Sequence, residues 1–289
     1  MLGLDPDPSR LWPAAIELAG GAGAAPAPPA ERAARSVSVH CSLVLEAVAA
    51  QCVAVKLQVA CFERLGAPGW AALAEVAGRA RDAGLLVIAD AKRGDIDVSA
   101  AAYAQAFLGE TPTPFGPVAG LAADAMTVNP LLGGDSLAPF VASARAHAGG
   151  LFVLVRTSNP GAEDLQDRAL AAGGCVSDAI AALVALAGAG GVGRSGLTDV
   201  GAVVGATAPT RLEGLRELMP RAVFLLPGVG AQGGQIHDLA PAFAPGRASG
   251  LVAVSRGIVA AAERDGGDPG QAAAGQAARL REIAWNLSG

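Results

Sequence analysis

Two lysines, Lys56 and Lys92, stand among the 21 basic residues of this 289-residue chain; the other nineteen are arginines. Arginine keeps its charge almost everywhere, whereas a lysine can be brought by its surroundings to release a proton near neutral pH. An Arg-favouring genome accounts for the nineteen arginines but not for the two lysines. Their retention points to chemistry that needs a proton on nitrogen.

Lys92 lies in the segment Ala89-Asp90-Ala91-Lys92-Arg93-Gly94-Asp95-Ile96-Asp97. Asp90 and Lys92 are two apart in a run of strand character, so extended backbone turns both to one side. Gly94 allows a turn, and Asp95 follows as the chain leaves for the next helix. Asp97 suits a helix cap as well as a site. A second constellation is Pro227-Gly228-Val229-Gly230-Ala231-Gln232-Gly233-Gly234 with Ser255-Arg256-Gly257. It contains GxGxxG after a strand, but no acidic residue ends the following strand to hold a ribose, so a dinucleotide fold is not indicated. Glycine amides, with Gly230 among them, and a charge-assisted fork from Arg256 suit a phosphate instead. Asp5, Asn129, Ser158 within TSNPG, and Gly205-Ala206-Thr207 end other apolar runs, and each alone reads equally as a turn or a cap.

The elements that must position these groups are legible as eight short β-branched runs. They end at Asp5, Lys56, Asp90–Lys92, Asn129, Ser158, Thr207, Gly228 and Arg256, with helical stretches between them. Continuous apolar strands alternating with helices mean parallel strands covered by helices. Eight such units in one chain of this length predict a single (β/α)8 TIM barrel over 1–289, whose site lies at the C-terminal strand ends. Both lysines fall at such ends. In such a barrel the loops after the seventh and eighth strands hold phosphate. Helices are expected over SLVLEAVAAQ, WAALAEVAGRARDAG and LEGLRELMP, and flexible loops at 19–31 and 188–196.

Composition narrows the class. Hydrophobic residues are 52% and charged residues 16%, which rules out disorder and coiled coil. A net charge of −5 argues against a nucleic-acid partner. No run of 18 strongly apolar residues and no signal sequence is seen, so no membrane is expected and the location is read as cytoplasmic. Four cysteines without CxxC spacing read as reduced, and three scattered histidines make neither a metal site nor a triad.

Together the motifs LGLDP, AVKxQVAxFE, DAKRGDI, TSNPG, GATAP and PGVGAQGG, with an Arg at the eighth strand, resemble the orotidine 5'-phosphate decarboxylase family, in its longer bacterial group. The resemblance covers nearly the whole chain. It implies cofactor-free and metal-free decarboxylation of orotidine 5'-monophosphate, with Lys92 as proton donor at C6 of the pyrimidine. By the resemblance, Lys56, Asp90, Lys92 and Asp95 match the charged tetrad, and Asp95 enters the opposite subunit's site in a homodimer. Asp5 and Ser99 match ribose contacts, Ser158 the pyrimidine contact, and Gln232 and Arg256 the phosphate grip. Ile96 and Gly230 fall among the substrate-binding positions of their motifs. Leu57, Cys61, Ser99 and Leu131 depart from the family's usual residues, and the segment before the first strand is expected to be missing. Metal-dependent phosphosugar decarboxylases and aldolases of the same superfamily are the rivals, but they carry a carboxylate ligand where this chain has Lys56. A non-catalytic phosphate-binding barrel is the other alternative.

Overall fold

The computed structural model describes residues 1–20 and 27–288, so the low-complexity stretch at 19–31 lies partly outside the described residues. The chain divides into two compact units: Met1–Ala91 with Ser255–Arg281, and Lys92–Val254 with Glu282–Gly289.

In the first unit, β1 (Leu2–Leu4), β2 (Ala54–Gln58) and β3 (Leu86–Arg93) run parallel in that order. Leu2, Leu4, Val55, Leu57, Val87 and Ala89 share one face by register and are buried, while the opposite face, also largely buried, carries Gly3, Lys56 and Asp90. The helices Pro29–Val48 and Ala67–Asp82 pack against each other. Each opens with proline in its first turn, where a missing N–H costs nothing. Val37, Cys41, Val44, Leu45 and Val48 recur at helical spacing and are buried, and Ser38 Oγ donates to Glu75 Oε2 across the helix pair (2.7 Å). By length and composition Pro29–Gln51 could cross a membrane, although half of its most apolar window is buried inside the protein. That buried stripe makes it a core helix. The C-terminal segment joins the same unit, with Trp12 Nε1 donating to the Val259 carbonyl (3.0 Å) and Arg10 paired with Glu263 (2.7 Å).

The second unit opens with the last two residues of β3 and the helix Asp97–Phe107. An antiparallel pair, β4 (Glu110–Thr111) and β5 (Val118–Ala119), follows. Sequence reading gives no sign of it, because both strands are two residues long and exposed. Then β6 (Ala125–Val128), β7 (Gly150–Arg156), β8 (Val200–Val204), β9 (Phe224–Leu226) and β10 (Gly250–Val252) run parallel. The stretch at 188–196, expected to be flexible, is a closed turn: Gly193 donates to the Leu197 carbonyl (2.8 Å) and Asp199 to that of Gly191 (3.0 Å).

Among the described residues the expected eight parallel strands are all present, each at its predicted run. The last differs in detail, since β10 stops at Val252 and Arg256 opens the short helix Arg256–Val259. One buried arginine has a structural role. Arg216 is buried and donates to the carbonyls of Met219, Ala222, Ala242 and Ser249 at 2.6–3.2 Å, with its guanidinium 3.7 Å from the Phe224 ring centre. Burial lowers its pKa to about 10.

Candidate active site

The chemistry in the first unit gathers at the C-terminal ends of β1, β2 and β3. Lys56 Nζ lies 2.7 Å from Asp90 Oδ2 and 3.5 Å from Asp5 Oδ1. Lys56 and Asp90 are 7% and 8% exposed, whereas the Asp5 side chain is 38% exposed and so forms the open side of the cluster. Burial is the largest influence on the ammonium and favours its neutral form. The carboxylates of Asp90 and Asp5 together outweigh it, and the Lys56 pKa stays above the ordinary lysine value. Lys56 is therefore held as a fixed positive charge.

Register explains the cluster. Gln58 on β2 is the partner of Asp90 on β3. Lys56, two residues earlier on β2, projects to the same side as Gln58 and reaches Asp90 diagonally. One end of the Gln58 amide faces Asp90 Oδ2 (2.8 Å) and the Asp90 carbonyl oxygen (3.1 Å), and since both are acceptors the nitrogen is assigned to that end. Cys61 stands near Asp5, and burial first, then the Asp5 carboxylate, push its thiol pKa upward. Leu57 is fully buried. Arg256, in this unit, is exposed.

In the second unit, Lys92 is exposed and has φ +48°. This corrects the sequence argument that Asp90 and Lys92 share a side by simple alternation. The rule needs extended backbone, and the backbone turns left-handed at Lys92. A non-glycine residue there costs about 1–2 kcal/mol and persists where its surroundings impose it. Two hydrogen bonds do so: the Lys92 N–H donates to Thr127 Oγ1 (2.9 Å), and the Asn129 N–H donates to the Arg93 carbonyl (2.7 Å). Gly94 serves by close approach rather than by a positive φ, since a Cβ there would stand 2.7 Å from the Asn129 carbonyl oxygen.

Asp95 Oδ1 accepts the N–H of Ile96 (2.9 Å), and Ile96 takes the N-cap position of the helix Asp97–Phe107 with no side-chain cap. Asp97, weighed as a cap, is instead the first helical residue, at φ +46°. Ser99 sits in the first turn, exposed. Leu131 is exposed beyond β6.

Ser158 follows β7. Arg156, buried, pairs with Asp167 (2.9 Å) and donates to the Thr157 carbonyl (2.6 Å), while Thr207 Oγ1 donates to the Ser158 carbonyl (3.0 Å). Gly228 has φ +100°, and a Cβ there would stand 2.9 Å from both Ser158 Cβ and Gln232 Oε1. The missing side chain thus lets both Ser158 and Gln232 come close to Gly228. The Gly230 N–H, expected to face a phosphate, donates to the Gly234 carbonyl (2.9 Å) and is spent inside the turn.

The structure therefore brings Asp5, Lys56 and Asp90 together in one unit, and in the other it joins Ser158 to Gln232 and Lys92 to Asp95, Ile96 and Ser99 along one strand-to-helix turn. Gln58 was missed by sequence reasoning, although its place two residues after Lys56 on one strand was the available signal. Among the described residues, no group of three or more His, Cys, Asp or Glu side chains is placed to share a metal ion.

Comparison with known proteins identifies the family. The model of the Orotidine 5'-phosphate decarboxylase / HUMPS family matches residues 39–267. The orotidine 5'-phosphate decarboxylase of Deinococcus radiodurans is 48% identical over 231 residues, 80% of this chain and 79% of that protein. That of Rhodopirellula baltica is 44% identical, over 78% of this chain and 73% of its own length. The structure of Leishmania donovani OMP decarboxylase is similar with a TM-score of 0.69 and 32% identity, covering 98% of this chain and 92% of that one. With a buried Lys–Asp pair and DAKRGDI in place, the chain belongs to the orotidine 5'-phosphate decarboxylase / HUMPS family.

Proposed function

We propose that this protein decarboxylates orotidine 5'-monophosphate to uridine 5'-monophosphate in de novo pyrimidine synthesis. It does so as a single (β/α)8 barrel domain, cytoplasmic and homodimeric, without a cofactor. The observation that carries the reading is the buried Lys56 ammonium held between Asp90 and Asp5. Metal-dependent relatives need a carboxylate where Lys56 stands, and an ammonium 2.7 Å from Asp90 repels a cation there.

In the proposed mechanism Asp90 stands beside the substrate carboxylate. Two like charges ~4 Å apart repel by roughly 4 kcal/mol at an effective dielectric of 20, and loss of CO2 relieves that repulsion. The C6–carboxylate bond breaks, CO2 leaves, and the electron pair remains on C6. The Lys92 ammonium stabilises that charge and then transfers a proton to C6, and solvent reprotonates the amine. Arginine could do the first but hardly the second. Ser158 contacts the pyrimidine, Asp5 the ribose, and Gln232 and Arg256 the phosphate, whose binding energy serves closure and orientation.

Asp95 and Ser99 are assigned to the ribose region of the partner's site, and Ile96 to substrate binding. Exposed apolar residues on the same unit support that assignment, with Val98 at 83% and Leu131 at 70% exposure. Absorbance-monitored turnover of orotidine 5'-monophosphate by the purified protein, before and after EDTA treatment, tests the reading. Equal rates in both are expected. No turnover, or a chelator-sensitive rate restored by Mg²⁺, overturns it.

A further inference from the structure

We infer that Gln58 is a positioning residue for Asp90, fixing the rotation of the carboxylate that the decarboxylation uses. The inference rests on the function proposed above and goes beyond the tetrad. The direction of the Gln58 amide follows from its neighbours. Both atoms it faces in Asp90, Oδ2 at 2.8 Å and the carbonyl oxygen at 3.1 Å, are acceptors, so the nitrogen must point to them.

Lys56 Nζ reaches the same Oδ2 at 2.7 Å, so that oxygen receives an ammonium and an amide from two positions on one strand. The two donors do different work. A lysine ammonium at the end of a four-carbon stem can follow a carboxylate as it turns. An amide bonded at once to the side chain and to the main chain of Asp90 cannot. Gln58 is also neutral, so it holds Asp90 without cancelling the negative charge that the substrate carboxylate is to meet. A second cation here would quench it. Loss of such positioning costs rate because misplacement by about 1 Å is worth up to 10²-fold.

The experiment compares Gln58→Leu and Gln58→Glu with the wild type at saturating orotidine 5'-monophosphate across the pH range of activity. Gln58→Leu is expected to lower kcat by about ten- to a hundredfold, in a constant ratio to wild type at every pH. Gln58→Glu should lose as much at high pH and recover as pH falls, because a protonated carboxyl can donate to Asp90 Oδ2. Two carboxylates at one site raise the pKa of one of them, which brings the recovery into the measurable range. A purely structural role gives both variants the same pH-independent ratio, and that result, or kcat within twofold of wild type in Gln58→Leu, overturns the inference.

A second readout does not depend on turnover. The Asp90 carboxyl carbon, assigned by Asp90→Asn, should titrate at higher pH in Gln58→Leu than in wild type by NMR, and an unchanged midpoint counts against the inference. Wild-type protein without turnover strikes the decarboxylase reading, while an Asp90 midpoint that shifts between wild type and Gln58→Leu still upholds the positioning of the carboxylate.

Discussion

Lys56 stands on β2, buried, its ammonium 2.7 Å from Asp90 and 3.5 Å from Asp5, whereas Lys92 stands near the end of β3, exposed, on backbone with φ +48°. The first is surrounded by fixed partners on adjacent strands and is held charged. The second is presented by a turn whose backbone is pinned to Thr127 and Asn129 while its side chain reaches outward. Residue type is the same, so the different roles proposed for the two lysines rest on where each strand places its lysine. A group that organises charge needs burial and a partner, and a group that gives up a proton needs access to the reacting atom.

The largest expected effect breaks the exposed side of this comparison. Lys92→Ala should lower turnover at least 10²–10⁴-fold, since one general acid alone is commonly worth that much. Asp95→Ala should also be inactive if Asp95 serves the partner's site. Mixing the two inactive variants then restores activity, because in a heterodimer one site carries both lesions and the other neither. Random exchange makes half the dimers mixed, so about a quarter of wild-type sites return under two-fold symmetry. No recovery after verified subunit exchange confines Asp95 to its own barrel.

The buried side breaks differently. Lys56→Met leaves Asp90 without its ammonium, and removing one partner of a buried pair costs about 3–5 kcal/mol. Chemical denaturation should show that loss, and show Lys92→Ala to be much less destabilised. Equal stability of the two variants would remove the distinction drawn between the lysines.

His40 sharpens the point with a smaller effect. It is buried like Lys56, but burial alone sets its pKa, which falls to about 4 from the usual 6.5. Its Nδ1 accepts the Trp12 N–H at 3.1 Å, a bond that requires the neutral ring. The unfolded chain takes up this proton first as pH falls. Stability from this group is therefore full above about pH 6.5 and declines down to about pH 4, by up to about 1.4 kcal/mol per pH unit. Denaturation of the wild type and His40→Gln across that window should show the slope in the first and a reduced slope in the second.

Much of this division was legible in the sequence. The eight apolar runs foretold the parallel strands because strands buried on both faces are mostly apolar, and Lys56 and Asp90 stand out against that background. The lysines stood out because arginine filled almost every other basic position. What could not be read is what depends on cross-strand register and local backbone. Gln58 meets Asp90 only because β2 and β3 pair at that step. The left-handed turn falls on Lys92, two residues before a glycine that does not adopt it, so composition pointed to the wrong residue. Gly230 looked like an amide donor for phosphate, yet its N–H is consumed by Gly234, a local bond that no motif announces.

The assignment of proton transfer to Lys92 rather than Lys56 is tested most directly by exchange of the C6 hydrogen of uridine 5'-monophosphate in D2O, followed by NMR. This isolates protonation of C6 from the loss of CO2. Wild-type protein should catalyse the exchange, and Lys92→Ala should abolish it while still binding the nucleotide. Exchange by Lys92→Ala at the wild-type rate would contradict the account.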